Sequence, residues 1–261
     1  MSIIDPREDA FRRVFDTIPE QFDRWRCRYT PALFAHLIAA AKVNAQSAVL
    51  ELGPGTGQAT EPLLAAGCRY TAIELGDNFA QVLRKKYGSL PHFRLIHDDF
   101  ITHDFGRERF DLIYSAATIQ WIPEEIAFRK TFSLLKPGGM LAVILTKGDY
   151  RAPNEALFQR IQQVYDAHFK PATPYTHRKF PYRAACEYGY EGFEEHHFPG
   201  QRVMSADEYV AFSGTHCDHI VIPEPHKTQL FEGLRDAVNA FGGTIVFRDD
   251  HVLYTVRKPM A

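Results

Sequence analysis

The sequence predicts an α/β fold. Its core is a doubly wound sheet, mostly parallel, with an antiparallel C-terminal strand and a helical lid inserted after the fifth strand. Three observations predict it. Short apolar runs alternate with helical stretches five times within about a hundred residues, 47–145. Gly53, Gly55 and Gly57 follow the first apolar run and precede a helix. After Lys147 the alternation breaks.

Each element has its own signal. In "PALFAHLIAAAKV" (31–43) Pro31 holds a first-turn position, and Leu33, Leu37, Ile38 and Ala41 share one face of a helix. "SAVLEL" (47–52) is a short buried-type strand. Residues 58–66 read as a helix stopped by Gly67. "RYTAIEL" (69–75) is a strand, and 77–87 a helix closed by Gly88. "HFRLIH" (92–97) and "RFDLIYS" (109–115) are strands, 123–135 is helical, and "GMLAVIL" (139–145) is a strand. Asn154 can cap a helix to about Phe169, and 170–192 reads as an irregular loop or lid rich in proline and tyrosine. "FEEHHF" (193–198), helices near 205–213 and 225–240, and strands at 244–248 and 251–257 follow, with "RDDH" (248–251) as the turn between the last two. The organisation expected is N-terminal cap helices over 1–46, a ligand-binding core over 47–147, a lid over 148–192, and C-terminal strands and helices over 193–261 that complete the sheet.

Composition excludes several classes. The chain has 261 residues, of which 45% are hydrophobic and 24% charged, which suits one soluble globular domain with an insertion. A net charge of -2 gives the whole molecule no strong pull on nucleic acid. Cys27, Cys68, Cys186 and Cys217 are far apart with no CxxC pair, so neither a disulfide framework nor a cysteine zinc site is expected. The N-terminus lacks an apolar signal core, and the longest clean apolar run, Met140 to Leu145, is far too short to cross a bilayer. The expectation is a cytoplasmic protein, monomer or homodimer, with no membrane partner.

In a parallel sheet, ligands bind beyond the carboxyl ends of the strands. Glycines there let the backbone bend sharply and let a ligand approach without meeting a Cβ. The helix that follows offers free N–H groups and a positive dipole end. The loop Gly53 to Gly57 is thus a nucleotide-type cradle. Its GxGxG spacing differs from the dinucleotide GxGxxG, since Gln58 stands in the third glycine's place, and no GK[ST] follows. Glu74, 17 residues after Gly57, ends the second strand, where an acid can accept both hydroxyls of a ribose.

"VLELGPGTGQ", "AIEL", "RLIHDDF", "FDLIYSAATIQW" and "LLKPGGMLAV" resemble, in order and spacing, the motifs of the class I S-adenosylmethionine-dependent methyltransferases, which have a Rossmann-like core. The likeness covers residues 47–146. "FDRWRCRYTPALF" and "FSGTHCDHI" are similar to the small-molecule branch that includes trans-aconitate methyltransferase-like and methyltransferase type 11-like proteins. The resemblance implies S-adenosyl-L-methionine as cofactor. It implies that Glu51, Gly53, Gly55 and Gly57 line the methionine part, Glu74 holds the ribose, and Leu75 touches the adenine. Asp99 would accept from the adenine amino group, with Phe100 over the ring, although the pair Asp98–Asp99 leaves that contact ambiguous by one residue. Ser115 would contact the cofactor through its backbone, and Arg26 or Tyr29 would hold its carboxylate.

Methyl transfer from a sulfonium is an in-line displacement that depends mainly on alignment, which can contribute about 7–11 kcal/mol. Trp121 and Tyr29 are the aromatic candidates to face the sulfonium. Trp121 and His216 are the candidate catalytic residues, with His219 as a second candidate base for an acceptor that must lose a proton. "HCDH" (216–219) lacks a convincing third ligand, so no metal is expected. The fourth strand ends in "SAAT" rather than the Asn/Asp-Pro-Pro-Tyr/Phe motif of nucleobase amino-methyltransferases, so no nucleic-acid partner is expected. Residues 167–186 contain no acid but hold Lys170, Arg178, Lys179 and Arg183, and Arg24, Arg26 and Arg28 cluster near the N-terminus. That pattern points to a small anionic acceptor, a carboxylate, held by Gln120, Trp121, Tyr175, Arg178, Arg183 and His216. Two other readings of the sequence are a non-catalytic S-adenosylmethionine-binding regulatory module and an NAD-dependent oxidoreductase.

Overall fold

The computed structural model describes residues 4–172 and 181–260. Three helices precede the sheet: α1 (Pro6–Val14), α2 (Pro19–Trp25) and α3 (Pro31–Ala41). Each has proline in its first turn, where the missing N–H costs nothing. Then β1 (Ala48–Leu52), α4 (Thr60–Leu64), β2 (Arg69–Glu74), α5 (Asp77–Tyr87), β3 (Phe93–His97), β4 (Phe110–Ala116), α6 (Glu124–Leu134) and β5 (Leu135–Asp149) alternate as the sequence predicts. The C-terminal part comprises α7 (Glu155–His168), β6 (Glu191–Ser205), α8 (Ala206–Ser213), the one-turn α9 (Cys217–Ile220), α10 (His226–Ala240) and β7 (Thr244–Arg257).

The seven strands lie in the order β3-β2-β1-β4-β5-β7-β6. The first five are parallel, and β7 runs antiparallel to both its neighbours, β5 and β6. The order reverses between β1 and β4, so a crevice opens beyond their carboxyl ends. Successive residues of each strand face opposite sides. Leu50, Leu52, Ile73 and Ile113 enter one apolar layer with Phe128 of α6. Val49, Tyr70, Ala72, Leu112 and Tyr114 enter the other with Leu33, Phe34 and Leu37 of α3. A third apolar cluster joins α7, α8 and α10 to the ends of β6 and β7 through Leu157, Ile161, Leu230, Leu234, Ile245 and Phe247. Among the described residues no helix is long and apolar enough to cross a membrane.

Several boundaries differ from the sequence expectation, among them β5, which runs over Leu135–Asp149 where 139–145 was expected. "RDDH" is not a turn: β7 runs unbroken from Thr244 to Arg257. Its acids are held across the strands instead, Asp249 by Arg202 of β6 (Nη2 to Oδ1, 2.9 Å) and Asp250 by His197 (2.8 Å). The strand expected over 193–198 extends over Glu191–Ser205, because that ladder with β7 supplies partners along its whole length. The helix expected from Gln58 begins only at Thr60, since Gly53, Gly55 and Gly57 all take positive φ and turn the chain before it. Lid residues Tyr175, Arg178 and Lys179 lie outside the described residues.

Candidate functional site

A cavity of about 610 Å³ opens beyond the carboxyl ends of β1, β2, β4 and β5. That size suits one or two small molecules. One end is the glycine loop. The Gly53 amide donates to Ile73 O (2.9 Å), which ties the loop to β2, and Thr118 Oγ1 donates to Gly53 O (2.9 Å). A Cβ on Gly53 would stand 2.3 Å from Thr118 Cγ2, so no side chain fits there. A Cβ on Gly55 would meet Phe22 at 3.2 Å, because α2 folds over the loop. Ala117 lines the same end with φ +57, a left-handed conformation rare for a residue with a side chain.

Glu74 ends β2 inside the cavity wall, buried. Its carboxylate accepts from the Gly55 amide and the Gly76 amide, each at 2.9 Å. Burial pushes its carboxyl up to about 7, against the pull of those two amides. Leu75 and Phe100 line the same region.

The acidic pair splits. Arg12 of α1 grips Asp99 through two hydrogen bonds, 2.7 and 2.9 Å. Burial raises the Asp99 carboxyl, but that grip more than offsets it and leaves it below the usual range. Asp98, not Asp99, lines the cavity. It holds His103 Nδ1 at 2.8 Å.

Glu51, expected beside the ligand, does not line the cavity. It lies on the opposite face of β1 from Leu50 and Leu52, fully buried, and accepts from Thr60 Oγ1 (2.6 Å) and Tyr70 Oη (2.5 Å). Tyr70 Oη is hydrogen-bonded in turn to Tyr114 Oη. Burial pushes Glu51 up to about 7. The cluster braces the start of α4 under the loop. Gly57 also faces away, toward Tyr87. Ser115 is buried beneath the cavity floor and accepts from the Ile119 amide (2.8 Å).

The N-terminal segment forms the roof. Arg26 lines the cavity with its guanidinium 5.4 Å from the Phe15 ring and 5.0 Å from Phe22, and donates to Thr215 O at 2.7 Å. Its Nε is buried without a hydrogen-bond partner. Tyr29 lines the wall nearby. Trp121 lines it too, edge to face with Phe15 at 5.6 Å. Gln120 donates to Ala117 O, leaving its Oε1 buried and unpartnered.

The other end of the cavity is walled by Tyr150, Tyr165, Tyr209, Phe212 and Phe247, with His216, Asp218 and His219. Burial holds His216 down to about 3, helped by the Arg26 charge and by His219, so its imidazole is neutral. Arg202 lines this end as well, with its charge spent on Asp249. Arg183 is away from the cavity, its guanidinium 4.8 Å from the Phe193 ring. Arg28 pairs with Asp23. Cys27, Asp249 and His251 place ligand atoms within 4.8 Å of one another, but Arg202 already occupies Asp249, and burial raises the Cys27 thiol.

Sequence reasoning missed Arg12, Phe15, Phe22, Thr118 and Tyr165. All of them reach the cavity from elements whose docking has no local signature.

A model of the methyltransferase domain family matches residues 50–143. The chain is 38% identical over 77 residues to the ribosomal RNA small subunit methyltransferase A of a Synechococcus strain, a match that spans 27% of each protein. It is 28% identical over 142 residues to an uncharacterised methyltransferase of Schizosaccharomyces pombe, spanning 54% of this chain and 55% of that one. Among solved structures, the YcgJ protein of Bacillus subtilis superposes with a TM-score of 0.58 at 13% identity, covering 89% of this chain and 100% of that one. The Haemonchus contortus phospholethanolamine N-methyltransferase 2, solved with phosphomonomethylethanolamine and S-adenosylhomocysteine, gives 0.53 at 15% identity, covering 95% of this chain and 60% of that one. At these identities the structures show a shared fold.

Proposed function

We propose that this chain, whose residues 50–143 match a methyltransferase domain, transfers a methyl group from S-adenosylmethionine to a small molecule. The observation that carries the reading is Glu74 hydrogen-bonded to the Gly55 amide, which joins ribose acceptor and glycine cradle in one wall of the cavity.

The residues present fit the cofactor. Gly53 and Gly55 line the cavity at positive φ, which lets the loop turn its backbone toward a ligand. Glu74 is set to accept from ribose hydroxyls, with Leu75 and Phe100 beside the adenine. Asp98 is the better placed of the acidic pair for the adenine amino group, because Asp99 is taken by Arg12. Arg26, with a buried and unpartnered Nε, is the partner for the cofactor's carboxylate. When bound, the cofactor supplies a methyl group on a sulfonium, a leaving group that needs no activation. The chain's own contribution is alignment and exclusion of water by the N-terminal helices, with Trp121 and Tyr29 as aromatic neighbours.

A small-molecule acceptor is favoured by the closed roof of α1 and α2 over the cavity. The stretch matched to the ribosomal RNA enzyme is about a quarter of that protein and carries no argument for an RNA acceptor here. The described bases give little support to an anionic acceptor. Lys170 and Arg183 do not line the cavity, and the lining cations Arg12 and Arg202 already hold Asp99 and Asp249. Among the described residues, Arg26 and the unpartnered Nη1 of Arg202 remain, and the cofactor's carboxylate claims the first. A methyl-transfer screen of acids beside neutral phenols and amines tests the choice. Preference for carboxylic acids would restore the anionic reading, while transfer to none of them would favour a regulatory module.

A further inference from the structure

On the reading just proposed, we infer that Asp218, His219 and Tyr165 form a proton relay, and that the acceptor it serves is a neutral aromatic compound methylated on a hydroxyl. The relay's direction follows from what each group can do. Asp218 Oδ1 lies 2.7 Å from His219 Nδ1. A carboxylate only accepts, so Nδ1 carries a proton, and in the neutral ring Nε2 then keeps a lone pair. His219 Nε2 lies 2.9 Å from Tyr165 Oη, so the tyrosine donates to it. Burial raises the Asp218 carboxyl, but the effects led by the hydrogen bond from His219 more than offset it and leave it below its usual value, so it stays ionised. Burial pushes the Tyr165 hydroxyl up, so Tyr165 conducts a proton rather than holding a charge. Tyr209 and Ser213 line the cavity beside it.

All five of these residues line the cavity. The imidazole is fixed by neighbouring rings, with Tyr165 at 5.6 Å, Phe169 at 5.2 Å and Phe231 stacked at 6.5 Å. His216 lines the same end, its Nδ1 3.0 Å from Ser213 O. A carbonyl oxygen only accepts, so this ring too keeps its lone pair on Nε2. Burial keeps that ring neutral, so it adds a hydrogen-bond acceptor, not a second base, beside the relay. Tyr150, Phe212 and Phe247 supply flat apolar walls, which suit a ring.

The proton balance closes. As the acceptor's oxygen forms its bond to carbon, its O–H proton passes to Tyr165 Oη. The Tyr165 proton moves to His219 Nε2, and the resulting imidazolium is held by Asp218. The charge that leaves the sulfonium, whose C–S electron pair stays on sulfur, thereby reappears on His219, and solvent takes that proton when the cavity opens. Tyr165 touches the acceptor's network, whereas His219 and Asp218 act through it as positioning residues.

The test uses 4-nitrophenol, whose ionised form is yellow, titrated into the full chain with and without S-adenosylhomocysteine, at a pH where the free probe is mostly neutral. Wild type should bind the probe saturably and generate the phenolate band. Tyr165→Phe and Asp218→Asn should bind it within about threefold of the wild-type affinity, yet lose at least tenfold of the phenolate signal. Their methyl transfer to phenols should fall about 100-fold or more, the range of general acid–base contributions. A thermal melt close to wild type for either variant makes its result decisive. No saturable binding, a wholly neutral bound probe in wild type, or an unchanged phenolate band in both variants overturns the relay. Failure of S-adenosylhomocysteine itself to bind would instead overturn the function proposed above, and this inference with it.

Discussion

The Glu74 carboxylate lies 2.9 Å from the Gly55 amide, so the acid that ends β2 and the loop that leaves β1 are one hydrogen-bonded unit. Removing the acid therefore damages both. Glu74→Ala should weaken S-adenosylhomocysteine by about 1.5–3 kcal/mol, the range for hydrogen bonds to a charged group. Calorimetry on wild type and variant measures it. Unchanged affinity would place the ribose elsewhere.

The same carboxyl gives binding a pH dependence. Burial pushes Glu74 up to about 7, and hydroxyl groups donate to its ionised form. Cofactor affinity should therefore rise between about pH 6 and 8, and that rise should vanish in Glu74→Gln. A slope retained in the variant would assign it to another group.

Glu51 bears on stability. Its folded carboxyl is also raised to about 7, well above its usual value, so the folded state holds the proton more tightly than the unfolded chain. Stability from this group is fully present below the unfolded value and is lost as pH rises through about 7. Glu51→Gln should therefore lose less thermal stability than wild type between about pH 5 and 8. Parallel melting curves for the two proteins would contradict this.

Arg12 joins the roof to the core through Asp99, with its side chain only 6% exposed. Arg12→Ala should cost about 1.5–3 kcal/mol, since it leaves Asp99 without its charged partner. Amide exchange over residues 6–25 should speed up in the variant, with β1 and β4 little changed. Uniform exchange changes would show that α1 does not open on its own.

How much of this was legible in the chain depends on the range of the interaction. Val49, Leu50 and Leu52 announce a buried strand, and Gly53 to Gly57 announce its sharp exit, because strand period and φ > 0 are local properties. The turn expected at "RDDH" is instructive. Asp249 and Asp250 look like turn formers until Arg202 and His197 meet them from β6. The motif places Glu51 beside the glycine loop and says nothing of the tyrosines around it. The direction of its side chain depends on Tyr70 and Tyr114, neighbours contributed by other strands. Arg12 and Tyr165 were invisible for the same reason: each acts on a residue more than 50 positions away.

The central claim is that this cavity holds S-adenosylmethionine, and titration calorimetry of S-adenosylhomocysteine into the purified full chain tests it most directly. The account predicts one-to-one binding with a dissociation constant near the micromolar range, about -8 kcal/mol, weakened in Glu74→Ala and in Gly55→Val, whose side chain would press on Phe22 from a left-handed backbone. No heat of binding at about 1 mM ligand, a limit near -4 kcal/mol, would contradict it.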